Sequence, residues 1–211
     1  TGFWISIVLV FFLISGLSWA GVWGEKFTQA WSTFPAEKWD NVPLSDETHA
    51  SMNHDGEKSV PWTLEQTPMP ESGSFAGQSV LPEGTDVNFD TLYVLGRKIG
   101  LEGRFHMTAP TSPEGVWTLN QNSMSYDGSS PTIDRTVHID QYTGMVLADV
   151  RFADYGVAGK AMAVGIALHE GQLGIVNFAL NAGFCLAVLL VCVSGVIMWW
   201  KRRPTGASRL A

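Results

Sequence analysis

The sequence has few charged residues, and this shortage limits what the protein can be. Only 16% of its 211 residues are charged, whereas 45% are hydrophobic. An average soluble domain has about 25% charged residues. The apolar residues are concentrated near the two ends of the chain, which is typical of a membrane protein. Acidic residues outnumber basic ones by 20 to 13, so the composition argues against a nucleic-acid partner.

Cysteine is also scarce, and both cysteines lie in the same apolar run near the C-terminus. Cys185 and Cys192 are seven residues apart, which on a helix separates their backbones by about 10 Å. That distance is too long for a disulfide. We therefore expect both to be packing residues, and the cysteine-free segment between the apolar runs must be held together by its own core.

The first apolar run contains no charged residue between Gly2 and Trp23. It is as long as the roughly 20 residues that a helix needs to cross a bilayer, so we predict a transmembrane helix over residues 1–24. A secretory signal peptide is the alternative, but its basic start and small-residue cleavage site are missing. Because the chain starts at Thr1 without a flanking charge, we expect a truncated or processed N-terminus.

The second apolar run ends in two tryptophans and the cations Lys201, Arg202 and Arg203. Such a cluster stays on the cytoplasmic side of a membrane. We predict one continuous helix over residues 157–203 that becomes the second transmembrane span, with a cytoplasmic tail at residues 204–211. Residues 24–156 would then be external, and this segment carries eight Lys and Arg against 19 Asp and Glu.

The second run also contains Asn177 and Asn181, four residues apart and so on one helical face. Polar side chains inside a bilayer are costly unless they are paired. We expect this face to contact other helices, with the two asparagines as structural contacts.

The external segment divides into two parts of different composition. Residues 25–85 are rich in Pro, Ser, Glu and Trp and lack a clear hydrophobic period, which predicts an irregular linker, here called the external arm. Because its tryptophans need burial, we expect the arm to wrap a neighbouring part of the protein. A disordered tether is the alternative. A compact domain is predicted over residues 86–156.

The compact domain is predicted to be one helix on a small antiparallel sheet, which makes the fold class α+β. Asp86 or Asn88 can cap a helix that runs to Lys98. Four strand-like runs follow at residues 105–108, 116–121, 135–141 and 145–152. The sequence DQYTG between the last two predicts a short hairpin, in which Gly144 suits a positive φ.

Several stretches resemble one known family. The run HIDQYTGMVLADVRF is similar to the closing hairpin of a PepSY domain, and ALHEGQLGIVN with SGVIMWWKRRP resembles the last membrane helix of the PepSY-associated transmembrane proteins. SGLSWAGVWG and VPWTLEQTPMPESG resemble an earlier helix end and the external linker of that family. The chain thus resembles the C-terminal half of a PepSY-associated, iron-regulated membrane protein. The resemblance implies two transmembrane helices flanking an external PepSY-like domain.

The resemblance also implies a role in bacterial iron acquisition at the inner membrane. Some members resemble haem-containing reductases that pass electrons to ferric siderophores, which implies haem b as cofactor and a siderophore held by a Trp-rich external surface. His169, in the stretch LHEG, is then the implied axial ligand. An interfacial histidine hydrogen-bonded to a neighbouring helix or to lipid headgroups is the alternative role. A non-enzymatic PepSY accessory or binding subunit of a larger complex is the alternative function.

A single histidine supplies only one axial bond. The other histidines all fall in the external segment: His49, His54, His106 and His138. A second ligand must therefore come from a missing N-terminal half, a second copy or another subunit. We expect other membrane helices and the lipid bilayer as partners.

A second candidate site lies in the stretch ETHASMNHDGE. Imidazole suits copper when thioethers accompany it and zinc when carboxylates do, so His49 and His54, with Met52 and Met69 nearby in sequence, are candidate metal ligands. The spacing matches no established metal motif, and solvated surface residues are the alternative. His106 and His138 lie on predicted strands and are expected to be sheet-face residues.

Overall fold

The computed structural model describes residues 2–17, 41–53, 59–122 and 130–202. Its helices and strands, in chain order, are α1 (Gly2–Gly16), β1 (Leu44–Thr48), β2 (Pro68–Pro70), α2 (Phe89–Lys98), β3 (His106–Thr108), β4 (Val116–Gln121), β5 (Arg135–Asp140), β6 (Val146–Arg151), α3 (Val157–Glu170) and α4 (Ile175–Lys201). The strands form one two-stranded and one four-stranded antiparallel sheet. The predicted α+β class is confirmed.

The four-stranded sheet has the order β3-β4-β5-β6, and each strand lies within one or two residues of a predicted run. In the central pair, Thr118 is opposite His138 and Leu119 is opposite Val137. Because side chains alternate between the two faces of a strand, Thr118 and His138 share one face. Leu119 and Val137 share the other.

Helix α2 covers the face that carries Leu119 and Val137. Asn88 caps its N-terminus by accepting a hydrogen bond from the Thr91 amide at 3.0 Å, as the sequence predicts. Leu92 and Leu95 are buried against this face, where Trp117 and Ile139 complete the cluster. Burying each such side chain contributes about 1.5–3 kcal/mol.

The external arm covers the opposite face of the sheet. Leu64 of the arm is buried in one cluster with Val116, Ala148 and Val150. Strands β1 and β2 pair with each other within the arm, and further along the arm the backbone of Gln78 exchanges two hydrogen bonds with Val146, each 2.9 Å long. The described part of the arm therefore forms the second cover of the sheet.

Trp62 of the arm joins this cover to helix α3. Its side chain is only 4% exposed and packs with Met162 and Ile166 of α3. Trp117 on the sheet is buried as well. Neither tryptophan can belong to the expected Trp-rich siderophore surface, because the core encloses both. Trp31 and Trp39, the other tryptophans of the arm, lie outside the described residues.

Among the described residues, α4 is the one helix long and apolar enough to cross a membrane, and α1 is a shorter apolar helix. Of the predicted first span over residues 1–24, the structure describes residues 2–17. Two flanking transmembrane helices therefore remain a prediction, whereas one candidate membrane helix is observed.

The predicted continuous helix over residues 157–203 is wrong, because the structure divides it into α3 and α4. Gly171 ends α3 with a φ of 76°, and Gly174 precedes α4 with a φ of 100°. Glycine adopts such left-handed angles without steric cost and commonly terminates helices in this way. The four residues from Gly171 to Gly174 thus form a corner between the two helices.

The β5–β6 turn contains the Asp of the DQYTG sequence. One carboxylate oxygen of Asp140 accepts hydrogen bonds from the amides of Tyr142 and Thr143 at 2.8 and 2.9 Å, and the other accepts one from Gly73 of the arm at 2.7 Å. Gly144 has a φ of 68°, as the sequence predicts. One carboxylate therefore shapes the turn and attaches the arm to it.

Replacing Gly144 with Ala is expected to destabilise the domain by more than the roughly 1 kcal/mol that a left-handed non-glycine residue costs. A Cβ at this position would lie 2.7 Å from the Leu81 Cδ1 atom, so a steric clash adds to the backbone strain. The free energy of unfolding is measured by urea titration in detergent, followed by far-ultraviolet circular dichroism.

Gly84→Ala is the matched control for this prediction. Gly84 has a φ of 77°, but a Cβ there would meet no atom within 4 Å, so only the backbone strain applies. Equal losses of stability in the two variants would contradict a clash at Gly144.

Candidate functional site

Helix α3 ends at a tightly bonded corner. The backbone N–H of Gln172 donates to the Ala167 carbonyl at 2.9 Å, and this bond closes the last helical turn around Gly171. The last carbonyls of a helix lack partners within the helix itself and need other donors. At this corner the donors come from the helix that follows.

Asn177 and Asn181 of α4 supply those donors. The Asn181 side-chain amide donates to the Leu168 and His169 carbonyls at 2.8 and 3.1 Å, and the Asn177 amide donates to the Leu168 carbonyl at 3.1 Å. The Asn177 oxygen also accepts from the Leu173 amide at 3.2 Å. The face of α4 that carries the two asparagines was expected to contact another helix. It contacts the end of α3 and fixes the angle between α3 and α4.

His169 lies in the last turn of α3 and contacts helix α1. Its Nδ1 atom is 2.6 Å from the Ser15 Oγ atom, and the centre of its ring is 4.9 Å from that of Phe12. Phe12 in turn stacks on Phe184 of α4 at 5.1 Å. A Cβ on Gly16 would lie 3.7 Å from the His169 ring, an ordinary van der Waals distance, so the end of α1 lies directly against the ring.

The hydrogen bonds of Ser15 indicate which nitrogen of His169 carries the proton. The Ser15 hydroxyl lies 2.8 Å from the Phe11 carbonyl, to which it can donate its single hydrogen. The same oxygen can then accept a hydrogen bond from His169 Nδ1–H. In that tautomer the lone pair of the ring is on Nε2, the arrangement that metal-bound histidines commonly have.

A second histidine site joins the arm to the sheet. It lies inside the external domain, which here means the external arm together with the four-stranded sheet and α2. His49 and His138 are both fully buried, and their Nε2 atoms are 2.7 Å apart. The His49 Nδ1 atom is 2.7 Å from the Thr67 carbonyl, and the His138 Nδ1 atom is 2.9 Å from the Thr118 Oγ atom. Four groups thus form one chain of hydrogen bonds from the arm to strand β4.

This chain of hydrogen bonds has a consistent arrangement of protons when both histidine rings are neutral. The Thr67 carbonyl can only accept, so His49 donates from Nδ1 and accepts at Nε2. His138 then donates from Nε2 and accepts at Nδ1 from the Thr118 hydroxyl. Neutral rings also agree with the electrostatics of the site. Burial lowers the pKa of His49 to about 4, partly offset by the Thr67 hydrogen bond, and burial together with His49 lowers the pKa of His138 well below 6.5.

The sequence did not predict this pair. His138 was expected on a sheet face, which the structure confirms, but its partner lies 89 residues earlier in the chain. No spacing rule connects two residues so far apart. The only local signal was the position of His138 in a strand whose neighbours alternate between polar and apolar side chains.

Of the two candidate metal ligands, His49 is buried in this pair, and His54 lies outside the described residues. The described ranges contain no group of three or more His, Cys, Asp or Glu that could hold a metal ion. Zinc cannot sit between His49 and His138 in this geometry. Two nitrogens at about 2.0–2.1 Å from a tetrahedral zinc would be roughly 3.3 Å apart, not 2.7 Å. Metal binding by His49 and His54 stays a prediction.

Replacing Asn181 with Ala is expected to loosen the corner by about 1–2 kcal/mol, because two helix-end carbonyls lose that donor. Amide hydrogen exchange at Gln172 should then accelerate by roughly 5–30-fold. Ser194→Ala is the control, since the Ser194 hydroxyl donates within α4 to the Val191 carbonyl and lies away from the corner. Exchange as slow in Asn181→Ala as in Ser194→Ala would contradict this role.

Comparison with known proteins places the chain in a family. No curated protein and no solved structure matches it. The family model described as PepSY-associated TM region matches residues 1–202. That match includes both apolar helices, the external domain and the corner that carries His169. The chain is therefore a membrane-associated protein that belongs to the PepSY-associated TM region family.

Proposed function

We propose that this chain is one part of a haem b-containing ferric-siderophore reductase in a bacterial inner membrane, with His169 as an axial haem ligand. The observation that carries the proposal is the 2.6 Å contact between His169 Nδ1 and Ser15 Oγ. It holds the ring at the contact of two apolar-rich helices and favours the tautomer with its lone pair on Nε2. The siderophore as substrate follows from the family resemblance alone.

The residues around His169 fit a haem half-site. The imidazole is half-buried, its Nδ1 atom is held by a hydroxyl, and its neighbours Phe12 and Gly16 supply an apolar ring and a small residue. A hydrogen bond from the ring nitrogen that does not bind the metal orients a histidine ligand and raises its basicity. Haem, when bound, supplies one-electron chemistry.

In such a reductase, the residues of this chain would hold His169 in position. Asn177 and Asn181 bond the end of α3, so they fix the backbone from which His169 projects. Ser15 fixes the rotation of the ring from the side of α1. The second axial ligand would come from outside this chain, since the other histidines of the described ranges, His49, His106 and His138, belong to the external domain.

We further propose that residues 24–156 face the periplasm and that the end of α4 faces the cytoplasm. The support is the charge distribution. Lys201 ends α4, Arg202 and Arg203 follow it, and the segment between the apolar runs has a net charge of −11, from eight Lys and Arg against 19 Asp and Glu. Basic clusters beside a span are retained in the cytoplasm.

Cysteine labelling tests this orientation. In intact cells, with Cys185 and Cys192 replaced, a membrane-impermeant thiol reagent is expected to label a cysteine at Ser112 and not one at Thr205. The charge rule predicts this result because the positive cluster precedes Thr205. Labelling at Thr205 alone would reverse the orientation.

Haem spectra test the ligand. In the complex purified from native membranes with its partner helices, His169→Ala is expected to abolish or shift the Soret band. Ser15→Ala is expected to weaken haem retention by roughly 10–100-fold, because the ring loses its orienting bond. His106→Gln, on strand β3 of the external domain, is the control and should leave the spectrum unchanged.

Two outcomes would contradict the assignment. A complex that contains no haem, or whose spectrum and siderophore-reducing activity survive His169→Ala, rules out His169 as the ligand. A haem-free complex would instead favour the non-enzymatic binding role for the external domain.

A further inference from the structure

We propose that one end of the four-stranded sheet is a docking surface for a protein partner that presents Lys or Arg beside an apolar pocket. This end, here called the domain tip, consists of residues 71–75 of the arm, the loop 112–115 and the β5–β6 turn 141–143. It combines exposed aromatic side chains with acidic groups. The inference depends neither on haem binding nor on the orientation in the membrane.

Two aromatic side chains of the domain tip face the solvent. Phe75 is 91% exposed and Tyr142 is 61% exposed. A Cβ on Gly73 would lie 4.0 Å from the Tyr142 ring, so this ring lies beside the loop that carries Phe75. Aromatic residues are enriched at the centres of protein interfaces, where a few side chains supply most of the binding energy. The two rings are therefore suited to be the anchors of an interface.

Hydrogen bonds of Ser72 join the three segments of the domain tip. The Ser72 amide donates to the Glu114 carbonyl at 2.9 Å, and the Ser72 hydroxyl donates to the Gly115 carbonyl at 2.6 Å. The same hydroxyl oxygen accepts from the Gln141 amide at 3.0 Å. One arm residue thus holds the loop and the turn together.

The loop that carries Phe75 is fixed on both sides of this residue. Before it, the Gly73 amide donates to the Asp140 carboxylate at 2.7 Å. After it, Gly77 has a φ of 94°, and a Cβ there would lie 2.5 Å from the Val146 carbonyl oxygen, an approach that only glycine allows. The backbone therefore presents Phe75 to the solvent in a fixed position. A side chain presented in this way loses little freedom when a partner binds.

The described Lys and Arg residues of the external domain lie at the opposite end of the sheet. Arg135 begins β5 and is opposite Arg151, the last residue of β6. The Arg135 side chain also donates to the Ile99 carbonyl at 2.6 Å, so the C-terminal end of α2 lies there as well. This group consists of Arg97, Lys98, Arg104, Arg135 and Arg151.

The domain tip carries acidic groups instead. Residues 59–96 contain no Lys or Arg, and Glu71 and Glu114 belong to the tip. Helix α2 begins nearby, because a Cβ on Gly144 would lie 3.2 Å from the Val87 Cγ2 atom, and its first turn contains Asp90. Exposed aromatic rings among acidic groups complement a surface that is both apolar and positively charged.

The sign of this charge argues against other occupants. Anionic lipid headgroups and nucleic acids are negative like the domain tip, so it would repel both. A two-fold contact between two copies of the chain would place the acidic tip of one against the same tip of the other. A cationic protein surface is the occupant that meets both the charge and the exposed rings.

Site-specific photo-cross-linking of the full chain, in cells of its native host, tests the docking surface. The probe is p-benzoylphenylalanine in place of Phe75. The same probe in place of Val94 on α2, which is 64% exposed, is the control for unspecific contacts. Irradiation is expected to join position 75 to one protein, and mass spectrometry to locate the link in a segment with Lys or Arg. Position 94 should not give this product.

Charge reversal tests the electrostatic part. With the probe at position 75, Glu114→Lys is expected to lower the cross-linking yield by roughly two- to thirtyfold, because an attraction between exposed charges becomes a repulsion of similar size. Glu102→Lys is the matched control. Glu102 is also exposed, but it lies at the opposite end of the sheet, where its carbonyl accepts from the Gln121 side chain. This variant should keep the full yield.

Several results would overturn the proposal. The first is the absence of any product at position 75 that position 94 lacks. A product formed with lipid, or with a second copy of the chain that carries a different tag, would identify another occupant and contradict the proposal as well. So would a linked segment without Lys or Arg, or equal yields in Glu114→Lys and Glu102→Lys.

Discussion

The four-stranded sheet must be covered on both faces, and the rest of the external domain follows from that constraint. Strand β4 is buried along its whole length, as is β5 from Thr136 to Asp140. One cover is helix α2, which directly precedes the sheet in sequence. The other is the external arm, which comes from the N-terminal side. The described part of the arm contains only short strands and turns. Its position therefore depends on the sheet beneath it, and the sheet depends on the arm to exclude water.

The face under the arm is unusual in carrying polar residues, and it is stable only because those residues are hydrogen-bonded. The Thr136 hydroxyl donates to the side-chain oxygen of Asn120 at 2.9 Å, and the Asn120 side-chain amide donates to the Ser59 carbonyl of the arm. Thr118 and His138 form the next bonds along the same face. A buried polar group without a partner costs about 1–3 kcal/mol. These bonds therefore select one position of the arm, whereas an apolar face would tolerate several.

The external domain and the two apolar helices α1 and α4 meet through α3. The middle of α3 packs against Trp62 of the arm. Its C-terminal end is bonded by Asn177 and Asn181 of α4 and by Ser15 of α1. Three apolar-rich helices thus converge where His169 lies. One short helix of 14 residues therefore contacts both the arm and the residues that hold His169.

The sequence by itself determined the membrane character, the α+β class, the strands, the cap at Asn88 and the turn at Gly144, because each depends on residues close together in the chain. It also contained the signal for the corner, since Gly171 and Gly174 are typical helix-ending residues, although the apolar run around them suggested one continuous helix. Only the tertiary structure decided that His49 faces His138 and that Ser15 faces His169. These partners are 89 and 154 residues apart. Their contacts arise when separate segments pack, and no local period or motif records which segments will meet.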